Sequence, residues 1–289
     1  MQNPDRRQLL ELGGAGLVLG SLAGVAPSRP RRQLRKALKI GMVQIEGSLQ
    51  DRFQAALDAG FEGIELDSPN DLDPDEVLAA KEATGIVIPG VVDSLHWRKT
   101  LGDPDPAVRA EGVAGLETAL LDCKTYGGTT VLLVPAVVNR RISYDEAYER
   151  SIPEIRRVLP LAEELDIKIA FENVWNNFLL SPLEAAHYVD TFESDRVGWY
   201  MDIGNIVKYG WPEQWIRILG DRILKLDIKG YSRKSGWVKI GDGDTNWPEV
   251  MRALDDIGFD SWAAAEVSGG GPERLNEISL RMDRVFGNG

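Results

Sequence analysis

The 289-residue sequence holds one cysteine and two histidines. The lone thiol, Cys123, excludes an intramolecular disulfide framework and any multi-cysteine zinc or iron–sulfur site. With only His96 and His187 available, a metal site has to be built mainly from carboxylates. Positive charge is also short: 33 Lys and Arg stand against 45 Asp and Glu, a formal net charge of −12. That balance weighs against a nucleic-acid binder, which needs a basic surface to neutralise phosphates. The uncharged stretch from Leu12 to Ser28 carries five glycines and falls short of the ~20 strongly apolar residues of a membrane span. What remains, 43% apolar and 27% charged, is ordinary globular composition and excludes collagen, low-complexity disorder and a coiled coil.

The N-terminus differs from the rest. Arg6 and Arg7 precede the modest apolar stretch, which ends in small residues at Ala23-Gly24-Val25-Ala26. This order of basic, apolar and small residues predicts a signal peptide over residues 1–26, and the adjacent arginines predict the twin-arginine class. The expected location is therefore outside the cytoplasm, periplasmic in a cell with two membranes. A second basic run, from Arg29 to Lys39, reads as a linker over 27–38. An amphipathic N-terminal helix is the competing reading.

From Lys39 onward the apolar period switches repeatedly between strand and helix. Strands are expected at 39–44, 63–67, 86–93, 130–138, 168–172, 197–202, 223–228 and 262–267, with helices between them. The fourth is almost wholly apolar, as a strand covered on both faces should be. Eight alternations over about 250 residues predict a single-domain (β/α)8 TIM barrel at 39–289. No Gly-x-Gly-x-x-Gly follows the first strand, which weakens an open dinucleotide-binding sheet.

In such a barrel the site lies at the C-terminal ends of the strands. Glu172, Asp202, Asp227 and Glu266 end the last four strands. Singly, each has an ordinary structural use, as an ion-pair partner or a turn cap. Together, four converging carboxylates would repel one another strongly in a low dielectric, and a divalent cation is the simplest remedy. An all-oxygen set favours Mn²⁺ or Mg²⁺ over Zn²⁺.

Gly60-Phe61-Glu62-Gly63-Ile64-Glu65-Leu66, Val131-Leu132-Leu133-Val134-Pro135, Ala170-Phe171-Glu172-Asn173-Val174-Trp175, Met201-Asp202-Ile203-Gly204-Asn205 and Ala265-Glu266 occur in that order. In this arrangement the chain resembles the xylose isomerase-like barrel group of sugar isomerases and epimerases. The resemblance implies metal ligands at Glu172, Asp202, Asp227 and Glu266, although the group usually has His where Asp227 stands. It also differs at Asn205 and Phe178, where His and Glu are frequent, and agrees at Arg233. Implied with it are a carbohydrate substrate, no nucleic acid, and homo-oligomerisation. The implied chemistry removes a proton beside a ketose carbonyl to give an enediolate, with Glu172 and Glu266 as the acid/base pair.

His96, Asn173, Trp175, Asn205, Lys229 and Arg233 are the expected substrate contacts. His187, within a helix, reads as structural. Gly269-Gly270-Gly271 follows the last strand, where barrels often hold phosphate, but no Lys or Arg accompanies it before Arg274. A lyase or hydrolase on an oxidised sugar, and a non-catalytic sugar binder, remain open. An abasic-site nuclease does not, since two histidines cannot supply its zinc cluster.

Overall fold

The computed structural model describes residues 34–287. In chain order its elements are β1 (Arg35–Lys39), α1 (Leu49–Asp58), β2 (Gly63–Ser68), α2 (Pro74–Thr84), β3 (Gly90–Asp93), α3 (Pro106–Tyr126), β4 (Thr130–Leu133) and α4 (Tyr144–Leu165). There follow β5 (Lys168–Glu172), α5 (Pro182–Asp190), β6 (Val197–Asp202), α6 (Ile203–Val207), α7 (Pro212–Leu219) and β7 (Ile223–Ile228). A short ribbon, β8 (Gly230–Ser232) with β9 (Gly236–Val238), leads to α8 (Trp247–Asp256), β10 (Trp262–Ala265) and α9 (Pro272–Phe286). Eight parallel strands close in the order β1-β10-β7-β6-β5-β4-β3-β2. The expected single-domain (β/α)8 barrel is the fold. The signal segment at 1–26 lies outside the described residues.

Local chemistry explains the boundaries. Ser48 and Asp51 form a capping box at the start of α1. Asp73 and Asp105 cap α2 and α3, each with proline in the first turn. Gly85 and Gly127 end the same helices in the left-handed conformation. The large hydrophobic core lies between strands and helices, where Ile64, Leu66 and Phe171 meet Phe53, Leu116 and Tyr188.

The first strand is a correction. It covers Arg35–Lys39, not 39–44, and Ile40–Met42 form a turn of 3₁₀ helix. The basic run that read as linker supplies strand residues because each charge has a partner. Lys36 Nζ lies 2.8 Å from Ser279 Oγ and 2.7 Å from Asp283 Oδ2. The Arg35 guanidinium stacks over Trp262 at 4.4 Å. Strands three and four are also shorter than expected: the third begins at Gly90 and the fourth ends at Leu133.

Alternation along each strand sends every second side chain into the barrel. Its interior contains two small apolar clusters, Ala37, Ala264 and Trp262 on one side and Leu132, Ala170 and Tyr200 on the other. The space left by the alanines takes polar groups. Glu65, Tyr200 and Lys225 are each buried at 1% exposure, and Asp202 and Asp227 at 0%.

Candidate active site

Four carboxylates converge at the C-terminal mouth. Glu172 ends β5, Asp202 ends β6, Asp227 lies near the end of β7, and Glu266 directly follows β10. Each offers one oxygen such that all four atoms lie within 4.8 Å of one another. The register explains this, since Glu172 pairs across to Tyr200 and Asp202 to Asp227, placing the acids at nearly one height.

Two lysines enter the cluster. Lys229 Nζ is 2.7 Å from Asp202 Oδ2 and 2.9 Å from Glu266 Oε2. Lys39 Nζ, from the end of β1, is 2.6 Å from Glu65 Oε2 and 3.0 Å from Asp227 Oδ1. Below it, Glu65 accepts from Tyr200 Oη at 2.8 Å, and Lys225 donates to the Pro89 carbonyl. A line of alternating charge thus runs from the barrel floor to Asp227. Lys39 and Glu65 were not among the expected site residues. Their signal was a charge inside an apolar strand, and for Lys39 it was hidden by placing the first strand four residues late.

Burial pushes Glu172, Asp202 and Asp227 upward from the ordinary carboxylate range, Glu172 and Asp227 strongly. Burial acts on Glu266 too, but the nearby Lys229 and Lys39 outweigh it and hold Glu266 below its usual value. Four acids and two ammonium groups leave a formal charge of −2. Apart from the Lys39 ammonium, no donor among the described residues reaches either Asp227 oxygen, and both are fully buried. Buried oxygens without donors in an all-oxygen set fit a hard divalent cation. Glu172, Asp202, Asp227 and Glu266 are the residues that would hold it.

The remaining expected contacts divide. His96, Trp175, Asn205 and Lys229 line a cavity of about 770 Å³ over the acids, together with Lys39, Asp67 and Asp93. His96 Nδ1 accepts from the Val134 amide at 3.2 Å, and burial lowers the imidazole to about 4. Asp202 caps the turn after β6, its Oδ1 accepting from the Asn205 backbone amide at 2.7 Å, and the Asn205 side-chain amide reaches towards Glu172 Oε1 at 3.5 Å. Trp175 Nε1 donates to the Asn205 carbonyl at 3.0 Å.

Two residues do not face the cavity. Asn173 has its side chain fully engaged: Oδ1 accepts from Trp199 Nε1 and the Asp202 amide, both at 3.0 Å, and Nδ2 donates to the Asp202 carbonyl at 2.8 Å. It positions Asp202. Arg233 donates to the carbonyls of Val207 and Gly210, at 2.8 and 2.7 Å, and packs over Trp211. The expected substrate contact is replaced by a clamp that ties the β8–β9 ribbon to the segment after β6.

The family profile described as xylose isomerase-like TIM barrel matches residues 53–282. The chain belongs to this family. Among its relatives is L-ribulose-5-phosphate 3-epimerase UlaE of Escherichia coli O1:K1, 26% identical over 239 residues, covering 78% of this chain and 82% of the relative. Solved structures share the fold. D-psicose 3-epimerase of Clostridium cellulolyticum H10 superposes with a TM-score of 0.72 at 18% identity, covering 87% of this chain and 98% of that one. A D-tagatose 3-epimerase-like protein gives 0.77 at 18% identity, covering 88% and 97%. The IolI protein, solved with a bound zinc atom, gives 0.74 at 18% identity, covering 88% and 99%. Relatives in this barrel family include sugar epimerases. Among the described residues, no helix is long and apolar enough to cross a membrane.

Proposed function

We propose that this chain is a divalent-metal-dependent sugar isomerase or epimerase that moves a proton beside a ketose carbonyl. The observation that carries the reading is the convergence of Glu172, Asp202, Asp227 and Glu266 within 4.8 Å at the mouth. The epimerase relatives support the sugar class. When bound, Mn²⁺ or Mg²⁺ supplies the positive charge that makes the C–H beside the carbonyl acidic and stabilises an enediolate. Glu172 and Glu266 stand on strands separated by β6 and β7 in the barrel, so they approach a sugar from different sides. In the cation-free protein their environments differ: burial favours the protonated form of Glu172, while Lys229 and Lys39 favour the ionised form of Glu266. Two carboxylates that reach the sugar from different sides suit proton removal by one and return by the other. Lys229 can also meet a sugar oxygen that develops negative charge.

The test is metal analysis of the purified protein, followed by incubation of ketoses in D₂O. Stoichiometric Mn²⁺ or Mg²⁺ and deuterium at the carbon beside the carbonyl are expected. Glu172→Gln and Glu266→Gln should each slow exchange by roughly 10²–10⁴-fold. Exchange that survives both substitutions would remove this assignment. The chain is also proposed to be exported by the twin-arginine route. Replacing Arg6 and Arg7 with Lys should hold the precursor in the cytoplasm.

A further inference from the structure

A second cavity of about 560 Å³ opens beside the first and shares Lys229, Glu266, Val267 and Ser268 with it. Each volume falls in the range of roughly 300–1,000 Å³ that encloses a drug-sized ligand, and a single hexose is smaller than that. The added wall is Trp237, delivered by the β8–β9 ribbon. One face of its indole stacks on Trp175, with centroids 4.8 Å apart and planes at 17°, and Tyr231 meets it edge-on at 5.1 Å. The Arg233 clamp holds the ribbon. Even so, Trp237 keeps 53% of its surface exposed. A fixed aromatic face in a cavity joined to the acids suits the C–H face of a sugar ring.

Among the described residues, no cation lining this cavity stands without a carboxylate partner. Lys239 and Arg274, the other cations of this cavity, are both engaged by Glu277 at 2.6 and 2.8 Å. The glycine run after β10 packs its first two residues against the turn that follows β1. The Gly270 amide donates to the Met42 carbonyl at 3.0 Å, and a Cβ at Gly269 would lie 2.0 Å from that same oxygen. Gly269 serves a close backbone approach. In the first cavity Lys39 and Lys229 are engaged by carboxylates.

We propose that the substrate is an unphosphorylated ketose bearing a second sugar ring, with the ketose end at the four acids and the second ring against Trp237. The inference rests on the sugar-epimerase reading above and narrows it to a glycosylated substrate. Three ketoses that differ only at the oxygen on carbon six provide the probes: D-fructose, D-fructose 6-phosphate and isomaltulose, in which that oxygen carries glucose. Calorimetry on the Mn²⁺-loaded full chain should show isomaltulose binding roughly five- to tenfold more tightly than D-fructose, the range that one aromatic contact supports. D-Fructose 6-phosphate should gain nothing over D-fructose. Trp237→Ala should erase the advantage of isomaltulose, and Trp237→Phe should keep most of it. Tightest binding by the phosphate, an advantage that survives Trp237→Ala, or no binding of any of the three would overturn the proposal. Deuterium exchange in the same samples keeps the two ideas apart. Failure of all three sugars to exchange would count against the epimerase reading, while the order of affinities still decides the second-ring subsite.

Discussion

Lys39 illustrates how a single side chain can set the state of the site. It is the ammonium that both Glu65 and Asp227 depend on. Burial alone would lower its pKa, but Asp227, Glu65 and Glu266 hold it above the ordinary lysine value. Lys39→Met should cost about 3–5 kcal/mol, because breaking a buried pair from one side leaves charge uncompensated. Adding Asp227→Asn should recover part of that loss, and urea unfolding of the single and double variants measures the coupling. His96 and Asp93 make a second residue-scale prediction. The imidazole falls from the usual 6.5 to about 4, chiefly through burial, so protons bind the unfolded chain first. Its contribution of about 3 kcal/mol is complete above pH ~6.5 and is lost as the pH falls towards ~4. Asp93 rises from 3.8 to about 7, again chiefly through burial, and has the opposite sign: stability is greatest at low pH and declines as the pH rises through 7. The two oppose each other between about pH 4 and 6.5. His96→Gln should therefore show less loss of stability on acidification than the parent. Parallel unfolding midpoints across that window would show that His96 carries no such load.

At the scale of elements, the helix stops can be tested without touching the site. Gly85 ends α2 at φ 75°, and a Cβ there would meet nothing within 4 Å. Gly85→Ala should thus report backbone strain alone, about 1 kcal/mol of destabilisation with deuterium exchange unchanged. Elements with one dominant signal were legible in the sequence. Short apolar runs between helical stretches gave β2, β5, β6 and β7 nearly to the residue, and the acids at or near the ends of β5, β6 and β7 came with them. The first strand was not legible, because Arg35, Lys36 and Lys39 carry charges whose partners, Asp283, Trp262 and Glu65, come from distant parts of the chain. The same limit applies to Asn173 and Arg233. Both lie in the right loops, but only tertiary hydrogen bonds reveal that one orients Asp202 and the other holds a ribbon. Glu65 is invisible for a further reason: a lone acid in a strand reads as an exposed position unless the barrel interior is known to be partly ionic.

At the scale of the whole molecule, closure comes from β1 pairing with β10, Arg35 with Trp262 and Leu38 with Ala265. A chain beginning at Pro27 retains every described strand and should unfold at the same temperature as the full chain. One beginning at Ile40 lacks β1 and the Lys39 ammonium, and should show no cooperative thermal transition. Retention of a sharp transition by that shorter chain would mean that β2 and β10 can seal the barrel without β1. The long-range pairing also sets a timetable for synthesis. Glu266 and the strand that delivers it are made last, so on the ribosome the nascent chain presents β1 and β7 as open edges. Only three of the four acids are then present, and the cluster is assembled after the polypeptide is complete. On the proposed metal-dependent reading, a cation held by all four acids is captured after translation, and any machinery that moves this protein before the barrel closes moves it empty.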